Sequence, residues 1–231
     1  FTRDFRRVFP TLPPLYGKFG VTANTLSVKD SVSVNVSAQG DNLIIETAPG
    51  VKIMPDNLKF SFAGAIPVVT NTPQLRIDQA EAKLGWDGFA AECSWDKLAI
   101  NPPGLNGFTA SFRTSLPALR RTFGPALPAD FWAQFKKFSG TILVNATAEL
   151  AGGKTAFNLE TAFQQLAVET AAVRIHERDI RIKTAGLFNA NTGVLALDSL
   201  SADAKILRLK GENITVAQKP LSVTGGLSGE M

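Results

Sequence analysis

The chain of 231 residues has one cysteine, one histidine and one tyrosine. These shortages exclude a good deal of chemistry. A lone Cys93 forms no internal disulfide, so its count points to no redox compartment. A small apolar core position is the expected role of its side chain. With His176 the sole histidine, a zinc ion would need carboxylates for most of its ligands, and no Asp or Glu cluster stands at ligand spacing. A Ser-His-Asp triad would depend on the same histidine, and no Gly-x-Ser-x-Gly elbow supplies its nucleophile. A cysteine nucleophile would need Cys93 beside His176, and Ala90-Ala-Glu-Cys-Ser-Trp95 matches no such signature. The run Arg174-Ile-His-Glu-Arg-Asp179 reads as a solvated hairpin turn. No phosphate-cradling loop is present, because Gly225-Gly-Leu-Ser-Gly229 opens no helix. Catalytic residues, metal ligands and cofactors are all expected to be none, and the chain reads as no enzyme.

Other absences bound the setting. No apolar run approaches the ~20 residues a membrane-spanning helix needs. The net charge of +4 and the pI near 9.3 are mildly basic, but the charge is spread through the chain, whereas nucleic-acid binders mass it on one face. No nucleic-acid partner is expected. A hydrophobic share of 45% with 19% charged residues supports a real core and argues against disorder. The chain opens on Phe1 with neither an initiator Met nor a signal pattern, and so reads as a piece of something longer.

What is abundant is alternation with a period of two. Ser31-Val-Ser-Val-Asn-Val-Ser37 sends Val32, Val34 and Val36 to one side and polar residues to the other. Gln39-Gly-Asp-Asn42 reads as a turn, with Leu43–Thr47 as a return strand. Leu58–Ala63 places Phe60 and Phe62 on one face. In Gln74–Leu84 the apolar phase switches between Ile77 and Ala80, which predicts a bulge near Asp78. Later segments continue the theme: Ile142 and Val144 in Thr141–Leu150, then Phe157, Leu159 and Phe163 in Thr155–Phe163. The turns Asn101-Pro-Pro-Gly104 and Ala151-Gly-Gly-Lys154 separate them. Spacings of ~10–12 residues per strand and turn predict an antiparallel meander. Each strand has a wet side and a dry one, and the dry side must be covered, closed on itself, or filled by something that is not protein.

Only Ser115–Phe138 reads as helical. Gly124-Pro125 and Pro128 break it in two, Ser115 suits the first N-cap, and Asp130 suits the start of the second piece. Phe131, Phe135 and Phe138, at i, i+4 and i+7, form one apolar stripe. The expected organisation is a connector over 1–20, carrying Arg3, Arg6 and Arg7, then a first β segment over 21–114. The helical insert follows over 115–138, and a second β segment occupies 139–231.

The order of helix, then Phe138-Ser-Gly-Thr-Ile-Leu-Val-Asn-Ala-Thr147, then a ladder of short amphipathic strands through Leu197-Asp-Ser-Leu-Ser-Ala-Asp-Ala-Lys-Ile-Leu207, resembles the AsmA-like family. Members are periplasmic proteins of the AsmA, TamB and YhdP type. Leu209-Lys-Gly-Glu-Asn-Ile-Thr-Val216, Leu221-Ser-Val-Thr-Gly-Gly-Leu227 and Leu75-Arg-Ile-Asp-Gln-Ala-Glu-Ala-Lys-Leu84 are similar in phrasing. The resemblance spans about Val21–Met231 and is one of texture, without an invariant motif. It implies a mainly β fold, a curled, groove-like sheet or open barrel with one broken helical insert. It also implies a periplasmic segment of an inner-membrane-anchored envelope protein that moves phospholipid between inner and outer membranes. The implied partners are phospholipid or another acyl-chain lipid and an envelope membrane protein.

The lipid-lining residues expected on the dry face are Val32, Val34, Val36, Phe60, Phe62, Ile142, Val144, Phe157, Leu159 and Phe163. Phe131, Phe135 and Phe138 are expected as a partial lid. The alternative reading places the same residues in the closed core of a structural or protein-interaction β-sandwich.

Overall fold

The computed structural model describes residues 14–48, 51–68, 76–99, 103–205, 207–218 and 221–230. Most of the expected connector, over 1–13, lies outside them, as do residues 101–102 of the expected Asn101–Gly104 turn. The strands are β1 (Leu15–Val28), β2 (Ser31–Ala48), β3 (Val51–Ile53), β4 (Leu58–Pro67), β5 (Arg76–Trp86), β6 (Phe89–Ala99) and β7 (Gly104–Ser115). After the helical insert come β8 (Lys137–Ala151), β9 (Lys154–Glu169), β10 (Arg174–Asn189), β11 (Val194–Asp203), β12 (Arg208–Gln218) and β13 (Leu221–Glu230).

All thirteen strands belong to one antiparallel sheet ordered by sequence, with only the short β3 off the path as a second partner of β2. The pairing of β7 with β8 carries the sheet straight past the insert, so the two β segments are one structure. The sheet does not close: β1 and β13 end it, and each pairs on one side only among the described residues. Among the described residues no sandwich is formed, and apart from the insert no element lies over either face.

That single layer shows in the surface. The accessible area is 15469 Å², where a compact protein of 24.7 kDa would expose about 10,000 Å². Fully buried apolar residues are few among the described residues: Ala38, Leu43, Ala80, Leu116, Ala118 and Ala167.

The strands run from 3 residues in β3 to 18 in β2, and several take in extra residues along the way. Asn42, Gln79, Gln165 and Asn213 adopt positive φ of 50°, 47°, 51° and 52° inside β2, β5, β9 and β12. The pairing register shifts beside all four, between Tyr16 and Lys18 opposite Asn42, between Ala63 and Ala65 opposite Gln79, between Ser139 and Thr141 opposite Gln165, and between Glu212 and Thr215 at Asn213. These are β-bulges, which add a residue, raise the local twist and bend the strand. Repeated through the ladder, they curl the sheet into a groove. The bulge expected near Asp78 is at Gln79.

The expected turn at Gln39–Asn42 is instead a bulge within one continuous β2. Gly and Asn serve bulges and turns through the same access to positive φ, and here the 18-residue strand keeps partners on both sides. Arg174–Asp179 also proves not to be a turn. It opens β10, and the reversal falls earlier, at Thr170–Val173, where the Thr170 hydroxyl accepts the N–H groups of Ala172 and Val173. Arg174 then reaches back to Glu169 at 2.7 Å, and this hydrogen bond holds that carboxyl below its ordinary pKa.

The insert is α1 (Leu116–Phe123), a 3-10 turn over Gly124–Ala126 and α2 (Ala129–Ala133). Ser115 caps α1, its hydroxyl accepting the N–H of Ala118 at 3.2 Å, and Arg120 and Arg121 complement the dipole in the last turn. Asp130 lies in the first turn of α2 without making a side-chain cap. The second helix ends sooner than expected. Phe135 follows it in a turn, and Phe138 belongs to β8, opposite Val168. A five-residue helix has little to sustain it, whereas residues from Lys137 onward gain ladder hydrogen bonds with β9.

Candidate functional site: an uncovered apolar sheet face

In an antiparallel ladder, residues directly opposite one another project from the same face. Following the register across the sheet therefore gives the composition of each face. One row runs Ala23, Val36, Phe62, Ala82, Cys93, Ala110, Ala146, Leu159, Thr184, Leu200, Gly211, Leu227. The next row runs Val21, Ala38, Phe60, Leu84, Ala91, Phe112, Val144, Thr161, Ile182, Ala202, Leu209, Gly229. Across twelve strands each row meets one threonine and no charge.

The row between them, on the opposite face, runs Thr22, Ser37, Ser61, Lys83, Glu92, Ser111, Asn145, Glu160, Lys183, Ser201, Lys210, Ser228. It is polar throughout, with a Lys183–Glu160 ion pair and a Ser111–Glu92 hydrogen bond across its strands.

Each face keeps its prevailing character past the bulges because the sequence changes phase there. In β2 the apolar positions pass from Ala38 to Leu43, and in β12 from Gly211 to Ile214. Both sites share one local pattern, Gly40-Asp-Asn-Leu43 and Gly211-Glu-Asn-Ile214. In each, the Asn takes positive φ, and the aliphatic side chain folds over the glycine, within 2.3 Å and 2.7 Å of where a Cβ would stand. The extra residue would otherwise turn the following stretch to the wrong side.

All ten residues expected to line the groove share the apolar face. Val32, Val34 and Val36 stand with Phe60 and Phe62 through the β2–β4 register. Ile142 opposes Phe163, Ala146 opposes Leu159 and Ala148 opposes Phe157. They are half-buried by one another, save Leu159, which is 38% exposed. Leu84, Phe112, Ile182 and Leu200 stand on the same face; alternation in sequence turns Phe112 inward and sets Leu84 in phase with Ala80 and Ala82, but none of the four is among the expected lining residues.

One end of this face is occupied. Trp86 and Phe89 stack with ring centroids 3.5 Å apart, and Phe89 meets Phe112 edge-on. Over them sits α1: Thr122 accepts a hydrogen bond from Trp86 Nε1 at 3.0 Å, Phe123 packs edge-on against Trp86, and Thr114 is sealed beneath, 1% exposed. Beyond α1, Phe131, Trp132, Phe135 and Phe138 form one aromatic cluster. Phe131 is exposed; Phe135 and Phe138 are half-buried.

The polar face offers less. A shallow depression lies where Gly85 and Ala90 leave room between Lys59, Lys83 and Arg113. A polar hollow holds Asp41, Asp56 and Asp87 together with Lys18, and Asn57 donates to both oxygens of Asp87. Among the described residues no group of three or more His, Cys, Asp or Glu side chains stands at metal-binding distance. His176 is exposed on β10 and Cys93 lies on β6, on the apolar face. Four strand spacings, on the order of 19 Å, keep the two from forming a thiolate–imidazole pair. No helix among the described residues is long and apolar enough to cross a membrane. Compared with protein-family models, curated proteins and solved structures, the chain matches none.

Proposed function

We propose that this chain is a non-enzymatic, lipid-binding segment of a bacterial envelope protein. In this reading it holds phospholipid acyl chains on its apolar face and conducts them along the curled sheet between inner and outer membranes. One observation carries the proposal: an uncharged apolar surface crosses twelve strands with no protein layer over it among the described residues. At about 4.8 Å per strand the rows run on the order of 50 Å, against about 15 Å for one leaflet of a hydrocarbon core. Several acyl chains fit end to end. Each methylene moved onto such a surface contributes up to ~0.8 kcal/mol, and the absence of charge along the rows leaves no desolvation barrier to sliding. The periplasmic setting and the envelope membrane-protein partner rest on the AsmA-like resemblance.

Cys93 supplies the test, because the only thiol stands near the middle of an apolar row. With bound phospholipid, Cys93 should react with a maleimide at least about tenfold more slowly than in delipidated protein, and native mass spectrometry should show phospholipid on the chain. Val144→Asp, at the centre of the second row, should abolish both effects, while Asn145→Asp, its neighbour on the polar face, should leave them intact. Equal Cys93 reactivity with and without lipid, and a lipid-free mass, would overturn the proposal.

The second reading, a structural or interaction module, draws support from the sheet's outer edges. Between Leu221 and Gly229, β13 carries no charge and no proline, the devices that usually discourage strand addition. A partner strand seated there would show as protection of β13 amides on complex formation.

A further inference from the structure

The two ends of the sheet differ. Six exposed large apolar residues lie outside strands among the described residues: Met54, Val68, Leu127, Phe131, Val173 and Leu207. Strand polarity puts five of them at the end that carries the helical insert and leaves Val68 alone at the other, where Gly152-Gly153 and Asn189–Gly193 make short polar turns. Parts of this end are joined by direct contacts. The Met54 N–H donates to the Thr122 carbonyl at 3.0 Å, and the Lys136 N–H donates to the Glu169 carbonyl at 2.8 Å beside the Thr170–Val173 turn.

Charge accompanies the exposed tips. Ser115–Phe138 contains Arg120, Arg121, Lys136 and Lys137 against the single Asp130, and all four cations are exposed. Arg120 lies over the Trp132 ring at 5.6 Å, which ties the cationic rim to the aromatic cluster. Carboxylates border the other tips, Asp56 near Met54, Glu169 near Val173 and Asp203 near Leu207, so the cationic excess belongs to the insert. There Leu127 and Phe131 among four cations match the layering of an anionic membrane surface, where phosphates lie above acyl chains. A purely apolar partner would leave those cations unmatched, and a purely acidic one would leave Leu127 and Phe131 in water.

We propose that the helical end docks on the surface of an anionic phospholipid bilayer. Leu127 and Phe131 enter the headgroup layer, Arg120, Arg121, Lys136 and Lys137 meet lipid phosphates, and the apolar face of the strands that α1 leaves uncovered meets the membrane. Only the last clause rests on the lipid-groove reading; docking stands on exposure and charge.

The test is co-sedimentation of the full chain with vesicles of equal phosphatidylglycerol and phosphatidylcholine, and with phosphatidylcholine alone. The expected result is binding to the anionic vesicles that weakens with salt. Leu127→Ser with Phe131→Ser, and separately Arg120→Glu with Arg121→Glu, should each lower the affinity about tenfold or more. Lys29→Glu with Lys154→Glu makes the same net charge change at two turns of the opposite end and should leave binding intact. All substituted residues are on the surface, and circular dichroism checks that each variant keeps its sheet. Failure of the unaltered chain to bind anionic vesicles would overturn the proposal in favour of a protein partner for this end. So would binding unchanged in both helical-end variants. Cys93 protection by soluble short-chain phospholipid, measured in the same variants, reports separately on the groove: vesicle binding without Cys93 protection would leave docking standing and the groove reading fallen.

Discussion

Gly88 shows how one residue fixes the position of the insert. Its φ is +76°, and a Cβ there would stand 2.5 Å from the Ala118 methyl, so only glycine lets α1 close onto the β5–β6 hairpin. Gly88→Ala should therefore lift α1 away at a cost of about 2–3 kcal/mol. The loss should appear as an earlier urea transition in the fluorescence of Trp86, whose indole bonds to Thr122 of that helix. An unchanged transition would show that α1 has another way to dock. The sequence marks this glycine only as part of an Asp-Gly turn; the nearness of Ala118, thirty residues on, is a fact of tertiary packing.

At the scale of the element, the bulges decide the most. Asn213 at φ 52° and Asn42 at φ 50° hold the left-handed conformation that lets β12 and β2 change phase without changing faces. Asn213→Val puts a β-branched side chain where it is strained, and should destabilise the chain by about 1–3 kcal/mol. Asn213→Gly should stay near the parent in the same urea titration. Equal losses in both would mean that the Asn side chain, and not the backbone angle, matters there. The bulge at Gln79 is readable from the phase switch between Ile77 and Ala80. Those in β2 and β12 are harder to read, because Gly-Asp-Asn and Gly-Glu-Asn are turn chemistry too. The aromatic stripe of the insert is similar: the 3.6-residue period at Phe131, Phe135 and Phe138 is real in sequence, but competition from β9 draws the last of them into a strand.

For the molecule as a whole, a single open layer means that each strand is stabilised by its two ladder neighbours and by little else. Cooperativity is then nearest-neighbour in character, as in repeat proteins, and stability falls off toward free edges. Amide hydrogen exchange should be slowest in β6 to β9, where the ladder is flanked on both sides and α1 adds cover, and fastest in β1 and β13. Uniform protection across all strands would indicate a covering layer or an assembly that removes the edges. The same openness leaves the apolar rows available to a ligand.

The amino-acid sequence by itself determined which residues alternate, that the fold is a mainly β meander with one broken helical insert, that one side of its strands is dry, and how little catalytic chemistry is on hand. All of these follow from periodicity and composition, which are local. Only the tertiary structure decided that twelve strands and the short β3 join in one sheet and that, among the described residues, no second layer covers the dry side. It also decided that the bulges keep the apolar rows on one face and that the insert sits at one end. Those outcomes depend on which distant strands become neighbours and on what fails to pack above them, and a period-two pattern is the same for a closed core as for an open groove.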